Sequence, residues 1–211
     1  MGGCQPKEPK LTNKFQRQIQ LVKDINSKYS DNQCPEAKIV LLGDSNVGKT
    51  SIVGRFCLKK FIGNQPNTIC ADYLQEKIKT SNGKILKLHI WDTAGSEQYK
   101  ALMPMYIREA DGAIIVYDVS KEKSFESVHY WINELSKVLS IDKVILALAG
   151  NKSDISKEEK KISYTVAKKF ADEYSMIFFE TSALSGDGVN ELFAKLSNKL
   201  IDNISQRKDI K

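Results

Sequence analysis

The chain has 211 residues, of which 41% are hydrophobic and 27% charged, enough for one domain with a sizeable core and inconsistent with global disorder. Its net charge of +6 is spread along the chain without basic blocks interleaved with aromatics, which favours weak attraction to anionic membrane and argues against nucleic-acid binding. No apolar run reaches transmembrane length, and Cys4, Cys34, Cys57 and Cys70 show neither C-x-x-C spacing nor a preceding secretory signal, so disulfides and zinc are not expected and the compartment reads as cytosolic.

Residues 1–36 read as an N-terminal extension. Gly2, Gly3, Cys4 and Pro6 predict an irregular start. Leu11, Phe15, Ile19, Val22, Ile25 and Tyr29 then recur at three- and four-residue steps, the pattern of an amphipathic helix ending near Asp31-Asn32. Such a helix either packs on the domain or lies against a membrane or partner.

From Ala37 onward apolar runs alternate with helical patterns, which predicts an α/β fold with a doubly wound, mostly parallel sheet. The first strand stops at Gly43, and four residues later Gly48-Lys49-Thr50 completes G-x-x-x-x-G-K-[ST], a P-loop that opens a helix over about 50–58. Ala71 to Thr80 and Lys84 to Trp91 flank Ser81-Asn82-Gly83 and predict one antiparallel hairpin in a mixed sheet. Buried strands are expected at Ala113–Tyr117, Val144–Ala149 and Ile177–Phe179, with helices at Ser124–Leu139, Thr165–Tyr174 and Val189–Leu200.

A P-loop aims successive backbone N–H groups, and the positive end of the following helix, at a phosphate chain. Asp44, Ser45, Asn46, Val47, Gly48, Lys49, Thr50 and Ser51 are the expected cradle, with Lys49 reaching the β- and γ-phosphates and the Thr50 hydroxyl on Mg²⁺. Trp91-Asp92-Thr93-Ala94-Gly95 follows a strand and places the Asp92 carboxylate where it holds the metal's water shell, while the Gly95 N–H meets the γ-phosphate. Asn151-Lys152-Ser153-Asp154 fits a guanine reader, because one carboxylate accepts both the N1–H and the exocyclic amine of guanine, an arrangement adenine lacks. Ser182, Ala183 and Leu184, in the segment beginning Thr181-Ser182-Ala183, close the base end, where a backbone N–H is offered to the guanine O6. An ATP-using P-loop protein is the alternative that Asn151 and Asp154 disfavour.

In that order the P-loop, W-D-T-A-G, N-K-x-D and T-S-A segments resemble the Rab family of small GTPases over residues 37–202. I-C-A-D-Y at 69–73, K-L-H-I-W at 87–91 and L-M-P-M-Y-I-R at 102–108 are most similar to its early-endosomal branch. The resemblance implies a switch that binds GTP and GDP with Mg²⁺, acts as a monomer, and meets an exchange factor, an activating protein and effectors at endosomal or vesicular membranes. It also implies that Thr68 closes on Mg²⁺ and the γ-phosphate, that Phe61 packs on the base, and that Tyr73, Trp91 and Tyr106 form an exposed aromatic effector surface.

The chain departs from that pattern at informative places. Ser96 stands where the family has the glutamine that orients the attacking water, so slow hydrolysis is expected. Two functions remain open on this ground: a regulatory GTPase with slow turnover, and a GTP-loaded module acting as a constitutive membrane scaffold. Ile107 and Glu109 replace the usual Tyr and Gly. Residues 203–211 read as a short polar tail without a cysteine for a prenyl anchor, which turns the expectation to the other end, where Gly2 would be myristoylated and Cys4 palmitoylated.

Overall fold

A computed structural model describes residues 34–61, 63, 68, 71–95 and 102–209. The expectations for the N-terminal helix, for Gly2 and Cys4, and for Ser96 therefore lie outside the described residues.

Six strands form one sheet in the order β2-β3-β1-β4-β5-β6. They are β1 (Glu36–Leu42), β2 (Ala71–Lys79), β3 (Ile85–Thr93), β4 (Gly112–Asp118), β5 (Ile145–Asn151) and β6 (Ile177–Thr181). All neighbours pair in parallel except β2 and β3, the predicted hairpin. Its turn closes with the Gly83 N–H donating to the Thr80 carbonyl at 2.9 Å, and Gly83 takes a φ of 80°. That left-handed conformation is why Gly follows Asn82 there. Edge strand β2 exposes Lys77 and Lys79, charges that discourage a further strand from adding to it.

The central strands are apolar on both faces because helices cover both, so they read as unbroken runs rather than alternation. On one face Ile39, Leu41, Leu88, Ile90, Ile114 and Val116 join α1 (Lys49–Leu58) and α5 (Val189–Asp209), where Phe56 stacks on Phe193 with ring centroids 3.8 Å apart. The alternate residues point the other way. There Val128, Trp131 and Leu135 of α3 (Glu122–Ser136) are buried, and α3 packs on β4 while α4 (Tyr164–Glu173) packs on β5 and β6. Helix α4 starts at Ser163, whose hydroxyl accepts from the Val166 N–H at 3.3 Å, an N-cap that ends the extended approach. A short α2 (Met103–Ile107), with Pro104 in its first turn, escapes the sequence reading because five residues carry no period.

One boundary differs from expectation. The segment read as a polar tail continues α5 to Asp209. Ile201 and Ile204 extend the apolar stripe, and Arg207 fastens the last turn by donating to Asp111 Oδ1 at 3.1 Å and to the Lys143 carbonyl at 3.0 Å. Among the described residues no helix is long and apolar enough to cross a membrane.

Candidate functional site

Parallel pairing puts the carboxyl ends of β1, β3, β4, β5 and β6 on one edge of the sheet, and the register sets Asp118 beside Asn151 and Asn151 beside Thr181. Loops leaving that edge enclose a cavity of about 510 Å³. This is where open α/β sheets bind ligands. Its lining includes Gly48, Lys49 and Thr50 at one end and Asp154, Ala183 and Leu184 at the other, so the two halves of the sequence signature face one space.

At the phosphate end the loop is drawn tight. Gly48 has a φ of 97°, and a Cβ there would lie 2.2 Å from Asn151 Nδ2. No other residue fits that approach. Lys49 is buried, and its ammonium donates to the Gly43 and Asp44 carbonyls at 2.8 Å each. Burial pushes that ammonium down to about 8, against the pull of the Asp92 and Asp44 carboxylates. An anion in the cavity would restore the charge by the same Coulombic logic. Ser51 lines the cavity, whereas the Val47 side chain is packed in the core.

Three oxygen-bearing groups converge beside Lys49. Thr50 Oγ1 and Thr68 Oγ1 are 2.8 Å apart, and Thr50 also hydrogen-bonds the Asp92 carboxylate. Asp92 is 1% exposed, its Oδ1 has no hydrogen-bond partner among the described residues, and burial pushes its carboxyl up to about 6 despite Thr50 and Lys49. A buried carboxylate oxygen left without a donor is costly unless a cation completes it. Two hydroxyls and one carboxylate are hard ligands that suit Mg²⁺, which keeps few protein ligands and takes the rest from phosphate and water. Consistent with that sparse set, no group of three or more His, Cys, Asp or Glu side chains gathers among the described residues.

Gly95 closes on this end. A Cβ at Gly95 would stand 2.4 Å from the Asp44 carbonyl carbon and 2.5 Å from the Ser45 nitrogen, so the segment after β3 lies directly on the phosphate loop.

At the Asp154 end Asn151 works as a cross-link. Its Nδ2 donates to the Val47 carbonyl at 2.8 Å, and its Oδ1 accepts from the Ala183 N–H at 3.2 Å and from Thr181 Oγ1 at 3.3 Å. Asp154 Oδ1 accepts from the Ser182 hydroxyl at 2.5 Å, which orients the carboxylate. Phe61 and Leu184 are exposed apolar side chains on the cavity wall. Lys152 takes a φ of 66°, and its ammonium lies 2.6 Å from Asp118 Oδ2.

Three side chains outside the motifs complete the frame. Burial alone would raise the Asp118 carboxyl, but hydrogen bonds from Lys152 and Ser120 outweigh it and hold it below the usual carboxylate range. Arg55 of α1 donates from Nε to the Ala183 carbonyl at 2.8 Å and from its Nη2 to that of Leu184. Trp131 Nε1 donates to Asp44 Oδ1 at 2.9 Å. Of these only Asp118 had a sequence signal, a carboxylate at the carboxyl end of a strand.

The aromatic surface is a correction. Tyr73, Trp91 and Tyr106 do meet, with centroids 5.0 and 5.8 Å apart, yet Trp91 and Tyr106 are only 3% and 2% exposed. Trp91 is sandwiched by the other two rings with the Lys38 ammonium 5.5 Å from its centroid, so only Tyr73 is half-exposed. The Tyr73 hydroxyl meets His89 Nδ1 at 2.5 Å.

The Ras family model matches residues 38–202. The GTP-binding protein ypt5 of Schizosaccharomyces pombe is 44% identical over 163 residues, 77% of each chain. The Ras-related protein Rab-5A of Dictyostelium discoideum is 42% identical over 171 residues, 81% of this chain and 84% of its own. The Ras-related protein Rab-5B of Plasmodium falciparum is 36% identical over 205 residues, 97% of this chain and 96% of its own. A matching model over most of the chain and relatives of this identity, on a P-loop α/β fold whose cavity suits a phosphate chain and Mg²⁺, establish that the chain belongs to the Ras family as a small GTPase of the Rab type.

Proposed function

We propose that this chain is a guanine-nucleotide switch that recruits effectors when GTP-loaded and returns slowly to the GDP form. The observation that carries the reading is one cavity with Lys49, Thr50, Thr68 and Asp92 at one end and Asp154 at the other. Asp154, oriented by Ser182, accepts the two N–H groups of guanine, and the Ala183 N–H, which otherwise rests on Asn151 Oδ1, turns to its O6. Phe61 and Leu184 cover the base. Thr50 and Thr68 would hold Mg²⁺ with help from Asp92, and the metal would supply charge neutralisation for the phosphate chain. Lys49, braced by the Gly43 and Asp44 carbonyls, turns its remaining N–H to phosphate oxygens, and the Gly95 N–H donates to the γ-phosphate.

Hydrolysis needs a water placed in line with the bond between the γ-phosphorus and the β–γ bridging oxygen. Serine at 96 is two heavy atoms shorter in reach than the glutamine of related proteins, which supports slow turnover. Single-turnover GTP hydrolysis tests this. Ser96→Gln is expected to speed it, and a native rate equal to that of Ser96→Gln overturns the slow-turnover reading and leaves the ordinary GTPase.

We place the protein on the cytoplasmic face of endosomal or vesicular membranes, in exchange with a cytosolic pool. Attachment through myristoyl-Gly2 and palmitoyl-Cys4, assisted by Lys7 and Lys10, meets the requirement for two signals, since one acyl chain binds with an association constant of only about 10⁴ M⁻¹. The match to the Plasmodium relative extends into this N-terminal region. Mass spectrometry of the N-terminal peptide and fractionation of Gly2→Ala and Cys4→Ser forms test the anchor, and full membrane retention of Gly2→Ala overturns it. Exchange factor, activating protein and effectors meet the switch segments, with Tyr73 the accessible ring of the aromatic cluster.

A further inference from the structure

We propose that Trp131 is a positioning residue for the phosphate loop, and that through Asp44 it sets the preference for triphosphate over diphosphate. The inference rests on the guanine-nucleotide reading above.

Asp44 is an awkward residue for its place. The loop from Gly43 to Thr50 gathers N–H groups for an anion, yet its second residue is a carboxylate of the ligand's own sign. Trp131 settles that conflict. Its indole, 2% exposed within α3, donates from Nε1 to Asp44 Oδ1 at 2.9 Å. The carboxylate is thereby held by a donor that cannot rotate away, because the rest of the ring is locked in the core. A hydrogen bond to a charged acceptor in such surroundings is among the stronger ones.

The same residue is fixed at two further points. Its carbonyl accepts from Lys49 Nζ at 2.8 Å, and the Asp44–Ser45 peptide is the surface on which Gly95 lies, at the 2.4 and 2.5 Å separations a Cβ would have. Gly95 is the residue that meets a γ-phosphate. Movement of the Asp44–Ser45 peptide by a fraction of an ångström therefore displaces the seat of Gly95 without touching the base end, some distance away around Asp154. Release of Asp44 by loss of the indole N–H should loosen the triphosphate more than the diphosphate, which has no γ-phosphate to hold.

The test uses the full chain with Mg²⁺ and two probes, N-methylanthraniloyl GDP and the corresponding non-hydrolysable GTP analogue, each chased with unlabelled GDP. Trp131→Phe removes the donor and keeps an aromatic core. It is expected to raise the triphosphate release rate about tenfold and the diphosphate rate less than about threefold. Asp44→Ala should shift the ratio of the two rates in the same direction, and the double variant should release no faster than Asp44→Ala alone, since the indole acts only through that carboxylate. A merely structural tryptophan would raise both rates equally and add its effect to that of Asp44→Ala. Equal increases, additivity or unchanged rates overturn the proposal. Should Trp131→Phe fail to fold, the Asp44→Ala ratio decides, and an unchanged ratio overturns it. Wild-type protein that takes up neither probe overturns the guanine reading itself, whereas normal uptake with unchanged variants overturns this inference alone.

Discussion

Lys152 reaches across from the end of β5 to place its ammonium 2.6 Å from Asp118 Oδ2, joining the carboxyl end of β4 to residues 151–154 by an ion pair. Asp118 is 1% exposed on its side chain and Lys152 39%, so one partner is buried and the other faces the cavity. Solvent at the lysine end weakens the pair, but removing it leaves Asp118 without its main donor. Asp118→Asn keeps the Ser120 contacts and loses the charge. GDP release is expected to quicken about three- to tenfold, because Lys152 is then free to leave its left-handed backbone conformation. Stopped-flow release measurements check this, and an unchanged rate would show that the pair does not position the reader.

Arg55 gives a prediction of opposite character to that of Trp131. It braces the Ala183 and Leu184 carbonyls, hence the loop proposed to hold the base, and its side-chain hydrogen bonds among the described residues are made there. Arg55→Met retains the apolar stem and removes the donors. Release of GDP and of a triphosphate analogue should rise by the same factor, about five- to thirtyfold, with a fall of about 1–3 kcal/mol in stability, chiefly from the part-buried Ala183 carbonyl left unpaired. Parallel release assays and chemical denaturation check both parts. A change confined to one nucleotide would contradict it.

How much of this was legible in the sequence differs by kind of signal. The sheet was legible because unbroken apolar runs such as Ile39–Leu42 and Ala113–Tyr117 are long enough to declare buried strands, and Asn82-Gly83 declares its hairpin. The motif residues were legible because backbone conformation restricts them, as at Gly48. Trp131 and Arg55 were not, since they act across 87 and 128 positions of chain through side-chain hydrogen bonds that leave no local pattern. Periodicity explains Trp131 fully as a core residue and says nothing of its indole N–H. The burial of Trp91 and Tyr106 was likewise hidden, because aromatic residues at a sheet end serve core and surface equally well in a sequence. The end of α5 was missed for a simpler reason: polar residues after Leu200 read as solvent-exposed whether or not they are helical.

Asp154 is expected to be the discriminator of the base. Asp154→Asn replaces an acceptor with a donor, which suits the 2-oxo group of xanthine and loses the charge-assisted bond to guanine. GTP affinity should fall about ten- to a hundredfold while XTP binding is gained. Ser182 would keep its hydrogen bond to the new amide oxygen, so the loop should hold its shape. Competition between the two nucleotides measures the switch, and unchanged GTP affinity with no gain for XTP would remove Asp154 from the base site.

Lys38 makes a prediction about stability and pH. It is 7% exposed, its ammonium donates to the Arg108 carbonyl at 2.6 Å, and it lies over the Trp91 ring. Burial pushes that ammonium down to about 8 from 10.5, even though Glu109 and Asp111 pull it upward, with Arg108 adding to the lowering. The folded protein therefore holds fewer protons than the unfolded chain across the interval between those values. Unfolding there takes up a proton, so this group's contribution makes the fold more stable as pH rises through that window and constant below it. Lys38→Met removes the titration while filling much of the same space. Denaturation in saturating GDP and Mg²⁺ at pH 8 and at pH 9.5 should show the native protein gaining about 2 kcal/mol relative to Lys38→Met between the two conditions. The lost donor to Arg108 shifts the variant by the same amount at both values and cancels in the difference. Identical slopes for the two proteins would mean that Lys38 keeps an ordinary lysine titration despite its burial against Trp91.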